Sequence, residues 1–163
     1  MNMPKIKTVL YTTSLGPYTR HVYRYALQLA YINNAELIML HIIKPVGPMG
    51  EALIKEYLPA SLVDEVHGEG VRKVMEKMEA RVQKIMEDEL KEMAGYSEVV
   101  IRPLVVTGRY DETILEVAAT EGADVIVMGS ENRLGMQSAK TQRVIRGSKI
   151  PVYVVPTGKH YPQ

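Results

Sequence analysis

The chain has 163 residues, 46% of them hydrophobic and 24% charged, with a formal net charge of +1. That length fits one domain able to bury a core of its own, 1–163, and the near-zero charge gives no electrostatic case for nucleic acid or an anionic membrane. The absence of cysteine excludes disulfides, thiolate metal sites and thiol nucleophiles.

The first apolar run is Thr8–Thr12, followed by helical periodicity from Pro17 to about Asn33, with Val22, Ala26, Leu29 and Ala30 on one face. Proline suits the first helical position. A second run, Leu37–Ile43, is nearly continuous rather than alternating, as are Thr8–Thr12, Val125–Met128 and Val152–Val155. Continuous apolar strands are those covered on both faces, as in a parallel sheet. The stretch from Pro45 to Gly70 is rich in proline and glycine and holds a short helical pattern at Glu51–Leu58. It reads as an excursion over one sheet edge and as a surface for protein partners.

A long amphipathic helix is expected from Gly70 to Met93, its apolar face made of Val71, Val74, Met75, Met78, Val82, Ile85, Met86, Leu90 and Met93. A strand over Val99–Val106 contains Pro103, which cannot donate to a ladder and therefore belongs at a sheet edge. A helix from Tyr110 to Glu121 carries Asp111 and Glu112 in its first turn and Gly122 just past its end. The last helix spans Ala139–Arg146. Strands alternating with helices in this way predict an α/β fold with right-handed crossovers and helices on both faces of a parallel sheet.

Ligands of such sheets bind beyond the carboxyl ends of the strands. Four loops are therefore of interest: Thr12–Gly16, Lys44–Pro45, Thr107–Arg109 and Gly129–Gly135. A Gly-Ser pair leading into a helix can aim backbone N–H groups at an anion, and Arg133, Lys140, Arg143 and Arg146 add positive charge nearby. The four histidines are scattered without metal-ligand spacing, and His41 reads as a packed core residue. No nucleophile elbow, P-loop or dinucleotide fingerprint appears. A phosphorelay receiver would need acids where Ser14 and Thr107 stand, and a flavin site would have only Tyr110 to stack on the ring.

The segment Val105–Leu115, the run Gly122-Ala123-Asp124-Val125-Ile126-Val127-Met128-Gly129-Ser130, the pair Val144-Ile145 and Ile150–Val155 together resemble the C-terminal half of the universal stress protein family. Val9-Leu10-Tyr11 and Ala35–Ile43 resemble its N-terminal half. The resemblance implies a flavodoxin-like, adenine-nucleotide alpha-hydrolase-like fold with five parallel strands in the order 3-2-1-4-5. It also implies a homodimer formed through Val152–Val155, and, with no apolar run near the roughly 18 residues of a membrane helix, the expected location is cytoplasmic.

Family members that bind ATP carry Gly, two residues, Gly, nine residues, then Gly followed by Ser or Thr, and end strand one with an aspartate. Here Gly129 keeps the first position and Asn132 takes the second. Ser138-Ala139 takes the last after only five residues, and Ser14 stands at the end of strand one. The resemblance with this altered motif implies a stress-response binding protein that is not an enzyme and does not hold ATP tightly. The alternative is a nucleotide-binding member, for ATP or another adenine nucleotide, with a sensing role or slow hydrolysis. In that case Gly129, Ser130, Asn132, Ser138 and Ala139 would line the phosphates, and Thr13, Ser14 and Ile42 would lie near the base and ribose.

Overall fold

The computed structural model describes residues 2–44, 71–93, 98–130 and 139–158. The elements follow in the order β1 (Thr8–Thr13), α1 (Thr19–Asn33), β2 (Glu36–Ile43), α2 (Val71–Met93), β3 (Ile101–Thr107), α3 (Tyr110–Thr120), β4 (Val125–Gly129), α4 (Ala139–Gly147) and β5 (Val152–Val155). All four strand pairings are parallel and the sheet order is β3-β2-β1-β4-β5. The chain therefore builds outward from β1 to β3, then returns to the far side of β1 to lay down β4 and β5. Pro103 sits on β3, which pairs only with β2 among the described strands, so its missing N–H weakens no inner ladder.

The continuous apolar runs are explained by two cores, one on each face. Alternate residues of a strand face opposite sides. Val9, Tyr11, Leu37, Met39, Val125 and Val127 meet α1 and α2, whereas Leu10, Ile38, Leu40, Ile126 and Met128 meet α3 and α4. From α1 come Val22, Tyr23, Ala26, Leu27 and Ala30; from α2, Met86 and Leu90, with Val82 partly buried. Ile85, expected on the apolar face of the long helix, is 48% exposed. The stripe that reaches the sheet advances by four residues (82, 86, 90), which turns position 85 outward. The side chains of Val71, Val74, Met75, Met78 and Met93 lie outside those described, as does the whole excursion at 45–70 and its expected helix.

The helix ends follow from local chemistry. Residues Gly16–Thr19 close a turn through the Thr19 N–H and the Gly16 carbonyl at 3.2 Å, so α1 starts at Thr19 rather than at Pro17. At its other end Asn34 takes a left-handed φ of 52°, and the Ala35 N–H reaches back to the Ala30 carbonyl at 2.8 Å. Gly122 repeats this arrangement after α3 with φ 64° and a 2.9 Å bond from the Ala123 N–H to the Ala118 carbonyl. Each turn feeds directly into the next strand. Asp124, beside the second turn, accepts hydrogen bonds from the backbone N–H groups of Lys7 and Thr8 at 2.8 and 3.0 Å, which aligns the entries of β1 and β4.

Candidate functional site

The strand order reverses between β1 and β4, and a crevice opens there beyond the carboxyl ends of the strands. It holds a cavity of about 390 Å³. The end of β1 and the turn after it supply one wall, with Thr12, Thr13, Ser14, Pro17 and Tyr18. The end of β2 gives His41, Ile42 and Lys44; β4 gives Gly129; α3 gives Tyr110; α4 gives Lys140 and Thr141.

The β1 wall is tightly cross-linked. Thr13 Oγ1 accepts the Leu15 N–H at 3.0 Å and lies 3.2 Å from the Thr19 hydroxyl, which donates to the Gly16 carbonyl at 2.9 Å. The Tyr11 hydroxyl donates to the Thr19 carbonyl at 2.9 Å. These bonds hold Leu15 at φ 56°, a left-handed conformation uncommon outside glycine, and turn the chain sharply at the cavity rim. Across the sheet, His41 Nδ1 bonds to the Thr13 carbonyl at 2.9 Å. His41 is thus hydrogen-bonded, as expected, but only half-buried, and it lines the cavity.

The electrostatics are one-sided. Among the described lining residues there is no carboxylate, while Lys44 and Lys140 are both present. Lys140 Nζ stands 4.9 Å above the centre of the Tyr110 ring. Burial and the adjoining Lys44 ammonium pull the Lys140 pKa below its ordinary value; Arg143 adds to this and Asp111 opposes it. Burial pushes the Tyr110 phenol up, against a contribution from the Thr12 side chain. Thr12 Oγ1 is buried beside the cavity and has no hydrogen-bond partner among the described residues.

Of the residues singled out from sequence, Thr13, Ser14, Ile42 and Gly129 converge on the cavity. Ser130 does not line it. Its Oγ accepts the Thr157 N–H at 3.0 Å and lies 3.3 Å from the Thr157 hydroxyl, so it fastens the segment after β5 to the end of β4. Ala139 is exposed at the start of α4 and does not line it either, while its neighbour Lys140 does. Asn132 and Ser138 lie outside the described residues. Lys44 stands in one of the four loops singled out from sequence and Lys140 among the basic residues noted beside the Gly129-Ser130 turn, but neither was assigned to the nucleotide. The signal was their position, one just past a strand's carboxyl end and the other in the first turn of the helix after β4.

Among the described residues no group of three His, Asp or Glu side chains is placed to hold a metal ion, and no helix is long and apolar enough to cross a membrane.

A family model described as the universal stress protein family matches residues 5–156. The chain belongs to the universal stress protein family. Universal stress protein MJ0577 of Methanocaldococcus jannaschii is 24% identical over 155 residues, covering 91% of this chain and 94% of that one. The universal stress protein UspA of Lactobacillus plantarum superposes with a TM-score of 0.68 at 16% identity, over 94% of this chain and 99% of that one. A universal stress protein solved in complex with cAMP superposes with a TM-score of 0.60 at 20% identity, covering 95% and 100% of the two chains. At these identities the structural likeness bears on the fold, and it agrees with the adenine-nucleotide alpha-hydrolase-like sheet expected from sequence.

Proposed function

We propose that this universal stress protein is a cytoplasmic binding protein that takes an adenine mononucleotide in the crevice between β1 and β4 and works as a homodimer. The observation that carries the reading is the pairing of two kinds of surface in one cavity: hydroxyls and Ile42 at the strand ends, and two lysines, Lys44 just past β2 and Lys140 on α4. A nucleotide has the same division, with a flat base and ribose at one end and a phosphate at the other. A family relative of the same fold solved with cAMP supports this choice.

Two features argue for a short phosphate chain and against tight ATP binding. Only five residues separate Asn132 from Ser138, so fewer backbone donors are available to wrap a triphosphate. Ser14, at the end of β1, offers an uncharged partner where the ATP-binding pattern has an acid.

The homodimer reading rests on β5. It pairs only with β4 among the described strands, and Tyr153 on it is 39% exposed beside the 40% exposed Tyr25, with ring centres 6.5 Å apart. An apolar strand edge of this kind is a template for a second strand.

The test is thermal unfolding of ligand-stripped protein with AMP, cAMP, ADP, ATP and adenosine. Ligand at about 100 times its Kd adds about 2.7 kcal/mol to the folded state, a rise of roughly 5–10 °C for a domain of this size. AMP or cAMP raising the melting point more than ATP supports the reading. No shift with any of the five at millimolar concentration overturns it.

A further inference from the structure

We propose that Lys44 and Lys140 act together as the anion-recognising pair of the cavity, closing on a single phosphate group from two sides. This inference rests on the nucleotide reading above for the identity of the molecule that carries the phosphate. The two lysines come from separate parts of the fold, one just past the end of β2 and the other in the first turn of α4, and the sheet order brings them to the same cavity.

Nothing in the described lining explains why two ammonium groups should be neighbours. Like charges at close range disfavour each other's charged forms, and the described lining supplies no carboxylate between them, Asp111 acting on Lys140 from outside the cavity. Arg143 adds a third positive charge to the field at Lys140. The position of Lys140 is unfavourable in a further way: a cation in the first turn of a helix opposes the macrodipole, whose positive end lies there. One dianion placed between the lysines would relieve all of these costs at once.

Lys140 is also held in place. The Tyr110 ring under Lys140 Nζ, at 4.9 Å, attracts the ammonium through its π face. Tyr110 is anchored in turn by packing against the core on the α3 and α4 side. Lysine presents a compact charge with three donors, which suits the several oxygens of a phosphate monoester approached from any angle. A planar carboxylate ligand would favour the fork of an arginine. The chemistry therefore selects a terminal phosphate, and the preference for AMP over adenosine is assigned to these two residues.

The experiment is calorimetric titration of wild type, Lys44→Met, Lys140→Met and the double variant with AMP, adenosine and inorganic phosphate. Loss of one charge-assisted contact should weaken AMP binding by about tenfold or more, and the double variant should fall well short of the product because both lysines serve one phosphate. Adenosine binding should be unchanged. Ligand-free Lys44→Met should melt no lower than wild type, since it removes a repulsion; Lys140→Met also gives up the Tyr110 ring contact, so its AMP affinity is read against its own adenosine affinity. Wild type binding AMP and adenosine equally, or variants that weaken both alike, overturns the pair and leaves the nucleotide reading standing. Phosphate that binds wild type and not the variants, with no adenine compound bound, keeps the pair and overturns the nucleotide. Wild type that binds neither phosphate nor AMP overturns both.

Discussion

His41 donates from Nδ1 to the carbonyl oxygen of Thr13 at 2.9 Å, joining the last turns of β2 and β1 where they meet the cavity. The two residues are register partners, so the bond closes the open end of the ladder. It also fixes the ring tautomer: with the proton on Nδ1, Nε2 of the neutral ring is an acceptor. His41→Ala should cost about 0.5–1.5 kcal/mol, read as a melting point lower by roughly 1–6 °C. The same variant should weaken AMP binding in the titration above, because the Thr13 wall loses its brace. An unchanged melting point would mean that the bond contributes nothing net.

Gly108 lies between β3 and α3, where its N–H reaches the Ile43 carbonyl at 3.0 Å. A methyl group there would run into the Thr113 hydroxyl, which is buried in the first turns of α3. Gly108→Ala should therefore destabilise by about 1–3 kcal/mol, the usual cost of overpacking. The check is a double-mutant cycle with Thr113→Ala. The clash predicts that the pair is less destabilised than the sum of the singles, by more than about 0.5 kcal/mol. Strict additivity would place the cost elsewhere.

Burial pushes the Tyr11 phenol well above the usual tyrosine range, outweighing the hydrogen bonds with Thr13 and Thr19 that pull the other way; burial also raises Tyr23. A raised pKa in the folded state means that the unfolded chain gives up these protons first. Their contribution is fully present below pH about 10 and is lost as the pH rises beyond it. Ultraviolet titration of the ten tyrosines should show a subset that ionises only on unfolding. Tyr11→Phe should lose less stability than wild type between pH 9 and 11 in denaturant melts, whatever its stability at neutral pH. Parallel slopes for the two proteins would refute the assignment.

Tyr153→Glu tests the proposed pairing of β5 with a second copy. A charge at the centre of a strand edge disfavours edge-to-edge association, so sedimentation should report a monomer where wild type is a dimer. A variant that sediments as wild type does would remove β5 from the interface.

Much of this arrangement was legible before any coordinates. The apolar runs gave β1, β2, β4 and β5 because a strand covered on both faces has no polar side to hide, and Pro103 marked β3 as an edge. The rule that ligands lie beyond strand carboxyl ends pointed to the loops that hold Thr13, Ser14, Lys44 and Gly129, and the family resemblance added Ile42; all five line the cavity. What escaped were relationships between distant segments. Lys44 and Lys140 were noted beside two different loops, and only the strand order shows that they share one cavity. Ser130 looked like a phosphate ligand because its partner, Thr157, lies beyond the next strand. Ile85 and Met86 are both apolar and adjacent, and helical periodicity alone did not say which of the two would face the sheet.

The hydrogen bonds from Lys7 and Thr8 to Asp124 span 117 and 116 positions of the chain. Such bonds cannot form until β4 has docked beside β1, which requires closing the long loop that contains β2 and β3. The N-terminal unit of β1, α1 and β2 has its contacts nearby in sequence and can assemble first, as local contacts generally do. The Asp124 clasp then forms after that unit, so the stability it adds shows as slower escape from the finished fold rather than faster arrival. Asp124→Ala should accordingly raise the unfolding rate while leaving the refolding rate nearly as it was.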